Sequence, residues 1–250
     1  MQHMMKRLIL LLFVLFYNHM ISAKTIGPIF DSNKIVASIS AGPTWTNAGM
    51  TQTFYLQPDF PNTYAANQST QILAEGELFL GIQRSIHPLI LGQLGFAVAT
   101  SSNTPLTGDV WEAADPTFDN FTYTYFIRHS HVAVKGKLLT EYFNPSILPY
   151  VEGSLGAGFN GSSHFSETPL IFQAIPAPNF RNNYETSFTY TVGIGVQKVL
   201  DPHWQAGIGY EFADWGRSSL KSAPGQTLGS GLSLNHFYTN QLQFTISYLA

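Results

Sequence analysis

Residues 188–199 read Phe-Thr-Tyr-Thr-Val-Gly-Ile-Gly-Val-Gln-Lys-Val, with a large apolar or aromatic side chain at every even position through Val196 and a small or polar one between. Successive side chains on a strand point to opposite faces, so this segment has one greasy face and one wet face. Similar alternation recurs along the chain, and it predicts eight strands: Lys34–Thr46, Gln71–Ile86, Leu89–Thr100, Tyr125–Thr140, Leu148–Asn160, Tyr184–Leu200, His203–Trp215 and Asn235–Leu249. Most have at least the roughly 9–11 residues that a tilted strand needs to cross a bilayer. Repeated amphipathic strands of this length are the signature of a transmembrane β-barrel, weak in any one segment and strong in aggregate.

The connections have their own rhythm. His87-Pro88 and Asp201-Pro202 are tight turns, and Glu141 to Ile147 is a modest one. Between them lie long Pro-, Asn- and Thr-rich stretches at 47–70, 101–124, 161–183 and 216–234. Outer-membrane barrels place short turns in the periplasm and long loops outside, so both termini are expected to be periplasmic. Proline suits a turn because it cannot donate to a strand ladder.

Composition agrees. Charged residues are 11% of the chain, against the roughly 25% usual in soluble domains. Lys6 and Arg7 precede an apolar run from Leu8 to Tyr17, and Ser22-Ala23 ends it, which reads as a signal peptide over residues 1–23 ahead of a barrel domain over 24–250. That apolar run is too short to span a bilayer as a helix. Its removal moves the formal net charge from −3 to −5, and neither value suggests a nucleic-acid partner. The chain has no cysteine, so disulfides, thiolate metal sites and a lipid-modified cysteine are excluded. Attachment to a membrane must come from the fold.

Strand phase separates two faces. Ile72, Leu78, Leu80, Ile82, Leu94, Phe96, Val98, Val151, Leu155, Trp204, Ile208, Tyr210, Phe244 and Ile246 fall on the face assigned to lipid. Glu75, Glu77, Gln93, His131, Lys135, Lys137, Glu152, Gln197, Gln205, Glu211 and Gln243 fall on the other, interleaved with Gly156, Gly158, Gly193, Gly195, Gly207 and Gly209. The interior of an eight-stranded barrel is just wide enough to be filled by side chains. These glycines either make room there for long charged neighbours or mark bulges and bends.

The chain resembles the small bacterial outer-membrane barrels of the opacity-protein and OmpA-type transmembrane class. The resemblance rests on the strand and loop rhythm, on Gly207-Ile-Gly-Tyr-Glu-Phe-Ala-Asp-Trp-Gly216, and on the closing Gln241-Leu-Gln-Phe-Thr-Ile-Ser-Tyr-Leu-Ala250. It implies an all-β, eight-stranded antiparallel up-and-down transmembrane β-barrel. It also implies contact with outer-membrane lipid and lipopolysaccharide, insertion by the barrel assembly machinery, and an extracellular ligand or host surface as partner. Members of the class usually end on an aromatic residue, whereas Leu249 and Ala250 follow Tyr248 here, which bears on insertion efficiency. The peptidoglycan-binding domain of full OmpA architecture is not expected.

Charges enclosed in a narrow interior are costly unless paired, so Glu75, Glu77, Lys135, Lys137, Glu152 and Glu211 are expected to form a salt-bridge network. We read it as an internal plug, with a gate or proton path as the alternative. Asp109, Trp111, Glu112, Asp115 and Asp119 form an acidic and aromatic loop cluster suited to cations, sugars or a protein surface, or simply to water.

Two runs offer a histidine beside a serine: His129-Ser130-His131, and His164-Phe-Ser166-Glu167. The second resembles the His-x-Ser pair of lipid A deacylases. Catalysis requires the serine within hydrogen-bond reach of an oriented histidine, and alternation places His129 and Ser130 on opposite faces. No metal or cofactor site is expected, because His129 and His131 supply at most two ligands. Arg84, Arg128 and Lys198 fall on the lipid face near strand ends, where long basic side chains reach headgroups. The expected function is non-enzymatic surface interaction or envelope integrity; a porin-like conduit for small solutes is the alternative, and a lipid A-modifying enzyme the third.

Overall fold

The computed structural model describes residues 33–57, 60–142, 146–226 and 229–250; residues 1–23, expected as a signal peptide, lie outside the described residues. Thirteen strands occur among the described residues: β1 (Lys34–Thr46), β2 (Gln52–Gln57), β3 (Phe60–Ala66), β4 (Gln71–His87), β5 (Ile90–Ser101), β6 (Thr104–Trp111), β7 (Asp119–Thr140), β8 (Ile147–Pro169), β9 (Asn183–Val199), β10 (Trp204–Asp214), β11 (Ser218–Ser219), β12 (Ser233–Leu234) and β13 (Tyr238–Leu249). Eight of them, β1, β4, β5, β7, β8, β9, β10 and β13, form an antiparallel ring in which each pairs with the next. The ring closes between β1 and β13, with Val36 opposite Leu249 and Trp45 opposite Asn240. Closure removes the unpaired edge that an open sheet of this size would expose.

The wall follows the alternation. Leu80, Phe96, Leu155, Phe188, Ile194 and Phe244 point outward and are each more than half exposed, while Gln93, Gln197, Gln243 and Thr245 are buried inside. On β13, Tyr248 and Tyr238 stand ten positions apart on the outward face, with Ile246, Phe244 and Leu242 between them. At the usual rise and tilt that separation is roughly 25 Å across the barrel, the height of a bilayer's apolar band. Aromatic residues mark both limits: Trp204 packs on Tyr248 at one, and Tyr190, Phe212 and Tyr238 make ring contacts at the other.

Two glycines show how the interior is filled. A Cβ on Gly195 or Gly209 would come within 2.5 Å or 2.3 Å of the Tyr150 hydroxyl oxygen, so both positions must stay bare for Tyr150 to lie across the lumen. Gly209→Val is therefore expected to cost about 1–3 kcal/mol through overpacking, read as an earlier heat-induced shift in electrophoretic mobility of the detergent-solubilised barrel.

The strands are longer and the loops more ordered than the alternation predicts. β7 begins at Asp119 instead of Tyr125, and β8 runs to Pro169, nine residues past the expected end at Asn160. Beyond the wall, β7 pairs with β6, β6 with β3 and β3 with β2, so the segments expected as loops at 47–70 and 101–124 build a sheet continuous with the barrel. The 216–234 segment carries the β11–β12 pair, and Arg181 bridges to Lys221. β13, in contrast, starts at Tyr238, three residues later than expected.

This extension has its own apolar core. Phe54, Tyr64, Phe121, Tyr123, Phe165, Phe180, Trp215, Leu220, Leu232 and Phe237 belong to one buried cluster. The physical reason is visible on β7, where Phe121, Tyr123, Tyr125 and Ile127 continue the inward phase of Lys135 and Lys137 beyond the lumen charges. A run of inward aromatics needs something to cover it, and the loops fold over it.

Candidate functional site

The lumen is built in layers from the short-turn end upward. Leu139, Leu148 and Tyr150 pack together first, with Leu91 and Val199 against them. Lys137 Nζ lies 4.2 Å from the centre of the Tyr150 ring and 3.0 Å from Glu152 Oε2. Above it Lys135 Nζ is held 2.7 Å from Glu77 Oε1, 3.2 Å from Glu152 Oε1 and 3.1 Å from Glu211 Oε2. An ammonium has three N–H donors, and these three carboxylates occupy them. The side chains come from β4, β7, β8 and β10, so the cluster ties together opposite walls of the barrel. All are nearly or wholly shielded from solvent.

Glu75 stands apart from Lys135. Its Oε2 accepts a bond from Thr44 Oγ1 at 3.5 Å and lies 3.7 Å from His129 Nε2. The six lumen residues named from the sequence are thus arranged as five in one contact network and Glu75 facing a histidine. Polar chains fill the remaining width: Gln197 Nε2 donates to Gln205 Oε1 and to Ser247 Oγ, and Ser40 bonds Thr245. The cavity beside Lys135, Lys137, Glu77 and Gln93 has a volume of about 10 Å³, room for a single water molecule.

Trp215 lies over the charges. It is 0% exposed, and the rings of His129 and His131 stack on it with centroids 4.0 Å and 4.5 Å away. Its indole Nε1–H donates to Thr239 Oγ1 at 2.7 Å, and its carbonyl accepts from Asn160 Nδ2 at 2.7 Å. The residue follows β10 on the inward phase of Gln205 and Glu211, and the chain turns after it at Gly216, whose φ of +73° is readily adopted only without a side chain. Strand phase places Trp215 with Gln205 and Glu211, on the face expected to line the lumen; what phase does not show is its stacking on His129 and His131.

The acidic cluster is carried partly by strands, where Trp111 at the end of β6 pairs with Asp119 at the start of β7. Asp109 lies within β6 and Asp119 opens β7, so neither is a loop residue. Burial, then the neighbouring Asp109, raises the Asp119 carboxyl above its usual value. Asp115 accepts from the Thr117 amide at 2.9 Å and from its hydroxyl at 2.8 Å, and these bonds, the backbone one foremost, hold its carboxyl below the usual range. Glu112 pairs with the Asn120 side-chain amide. Of the five residues only Glu112 lines the cleft of about 730 Å³ at the loop tips, with Phe60, Phe118, Ile175 and Pro178. Ala113 and Ala114, in left-handed conformation at φ 53° and 56°, shape the turn beside it.

Neither histidine–serine run forms a nucleophile–base pair. Ser130 bonds Thr100 on the outer face while His129 and His131 point inward. His164 sits on a bulge at φ 56°, its Nδ1 paired with Ser163 Oγ at 2.9 Å in place of Ser166. Glu167 is engaged elsewhere, accepting from the Tyr64 hydroxyl at 2.8 Å and the Ala177 amide at 3.2 Å.

The fold and its filled interior define a small closed β-barrel with a folded cap. No family model and no curated protein matches the chain. Solved structures that resemble it are outer-membrane barrels. Neisserial surface protein A, from Neisseria, matches at 11% identity over 87% of this chain and 99% of that one, with a TM-score of 0.46. The outer membrane protease OmpT from Escherichia coli matches at 10% identity over 92% and 100%, TM-score 0.46. The outer membrane protein OprG from Pseudomonas aeruginosa matches at 12% identity over 89% and 100%, TM-score 0.44.

Proposed function

We propose that this chain is an outer-membrane barrel with a closed lumen and that its cap, held outside the cell, is its working surface in a non-enzymatic surface-interaction or envelope-integrity role. The observation that carries this reading is the doubly filled interior. A layer of ion pairs around Lys135 lies beneath Trp215, and the rest of the apolar cap core lies above it. Filled eight-stranded barrels leave little path for solutes. The outward apolar band, bounded by aromatic residues, supports placement in a bilayer. Phe172 and Ile175, almost entirely exposed at the long-loop end, suit contact with another surface.

The test is conductance of the purified protein in planar bilayers, together with detection of an epitope tag at Phe172 on intact cells. Near-zero conductance and a detectable tag are the expected results. Large, steady conductance would instead favour the small-solute conduit, and a tag visible only after permeabilisation would invert the topology.

A further inference from the structure

At the long-loop rim of the barrel wall, outside the lumen and apart from the loop-tip cleft, lies a cavity of about 450 Å³ whose walls include Trp45, Asn47, Asn235, His236, Tyr238 and Asn240. Its chemistry is specific. His236 Nδ1 lies 2.8 Å from Asp214 Oδ2, and the other oxygen of this buried carboxylate accepts from the Gly216 amide at 2.8 Å. A carboxylate can only accept here, so Nδ1 of His236 carries the hydrogen, and in the neutral form of the ring Nε2 is the acceptor. The imidazole lies flat against Tyr238, with ring centroids 5.2 Å apart and planes within 2°.

Asn240 is fixed likewise. Its Oδ1 accepts from the Tyr210 hydroxyl, which leaves the amide N–H groups as donors. Thr46, whose hydroxyl donates to the Tyr238 carbonyl at 2.6 Å, and Gln68 and Gln52, which donate to the carbonyls of Gly49 and Met50, brace the surrounding backbone.

Aromatic surfaces beside preset amide donors and an imidazole acceptor suit a ring that is apolar on its face and hydroxylated at its edge. No lysine or arginine lines the cavity, so it lacks the cations that a phosphate or sulfate site uses. We propose that this rim cavity binds a saccharide ring, its face against Trp45 and its hydroxyls on His236 Nε2 and the asparagine amides. Leu242, Phe244 and Ile246 continue directly from Asn240 on the outward face, so the cavity stands where the apolar band ends. A headgroup sugar of a glycolipid and a free sugar share this chemistry. The level relative to a bilayer rests on the membrane reading above; the fit of the cavity to a sugar does not.

Two arms test it. In one, the full barrel in a sugar-free zwitterionic detergent is titrated with maltose, and with inorganic phosphate as control, while tryptophan fluorescence is followed. In the other, the barrel in phosphatidylcholine nanodiscs is compared with and without lipopolysaccharide. A saturable response in both arms identifies the sugar ring as sufficient; a response only to lipopolysaccharide identifies the membrane-held headgroup. In either case Trp45→Phe should lose most of the signal, and His236→Ala should weaken binding about tenfold or more. His236→Ala also removes a partner of the buried Asp214 carboxylate, so compact electrophoretic mobility of each variant, measured before titration, separates lost binding from lost folding. The proposal is overturned by silence in both arms, by a response to phosphate alone, or by a response that His236→Ala leaves intact. Fractionation with outer membranes is scored separately, so failure of the membrane reading is distinguishable from failure of the sugar site.

Discussion

Lys135→Met is expected to be among the most destabilising single substitutions in the wall, on the order of 3–5 kcal/mol, because it leaves Glu77, Glu152 and Glu211 buried around an uncharged centre. Removing one charge of a buried cluster costs more than the cluster contributes, since the partners keep their desolvation penalty and lose their compensation. The measurement is the temperature or urea concentration at which the detergent-solubilised barrel loses its compact electrophoretic form. Combining Lys135→Met with Glu77→Gln and Glu211→Gln should recover a large part of the loss, because the stranded charges go with their partner. Glu152 must be kept in that combination, since it also holds Lys137 at 3.0 Å. Unchanged heat resistance in Lys135→Met would mean that water or protons already neutralise the cluster, and that the ion pairs do not hold the walls in register.

The wall of this barrel was legible in the sequence because a strand with lipid on one side and packed side chains on the other must alternate with period two, whatever its partner. Phase placed Leu80 and Phe96 outside and Lys135 and Glu152 inside before any pairing was known. Direct neighbours were partly legible as well, since β7 and β8 are consecutive and their register sets Lys137 opposite Glu152. Contacts across the lumen were not: Lys135 meets Glu77 and Glu211 from β4 and β10, and which rung of each strand faces which depends on tilt and stagger.

The cap was legible only in part. Phe121-Thr-Tyr123-Thr-Tyr125 carries the period-two pattern and extends β7, yet proline, asparagine and acidic residues around it suggested a solvated loop. Its other core residues, such as Phe54, Phe180 and Leu220, come one or two at a time from separate segments and show no periodicity of their own. The rim cavity was hidden for a similar reason: Asp214 and His236 face each other only because β10 and β13 pair with Asp214 opposite Tyr238.

Trp215→Ala should be comparably destabilising, about 3–5 kcal/mol, because it opens a cavity between two histidine rings and removes the donor to Thr239. Its more informative consequence concerns permeation. Trp215 and the Lys135 cluster lie in series along the lumen, so removing either should leave the other in place and conductance near zero. Removing both, in Trp215→Ala with Lys135→Met, should admit small ions, an outcome that neither substitution alone produces. The comparison is made on refolded protein in planar bilayers, after compact electrophoretic mobility shows that each variant has kept its barrel. Where the double variant is too unstable to refold, Trp215→Leu with Lys135→Gln preserves more volume and asks the same question. Ion flow through Trp215→Ala alone would show that the ion-pair layer is not a seal and that the tryptophan is the sole barrier. A closed double variant would place the barrier higher, in the aromatic core of the cap around Tyr64, Phe165 and Phe180, whose rings lie 4.9–6.0 Å apart.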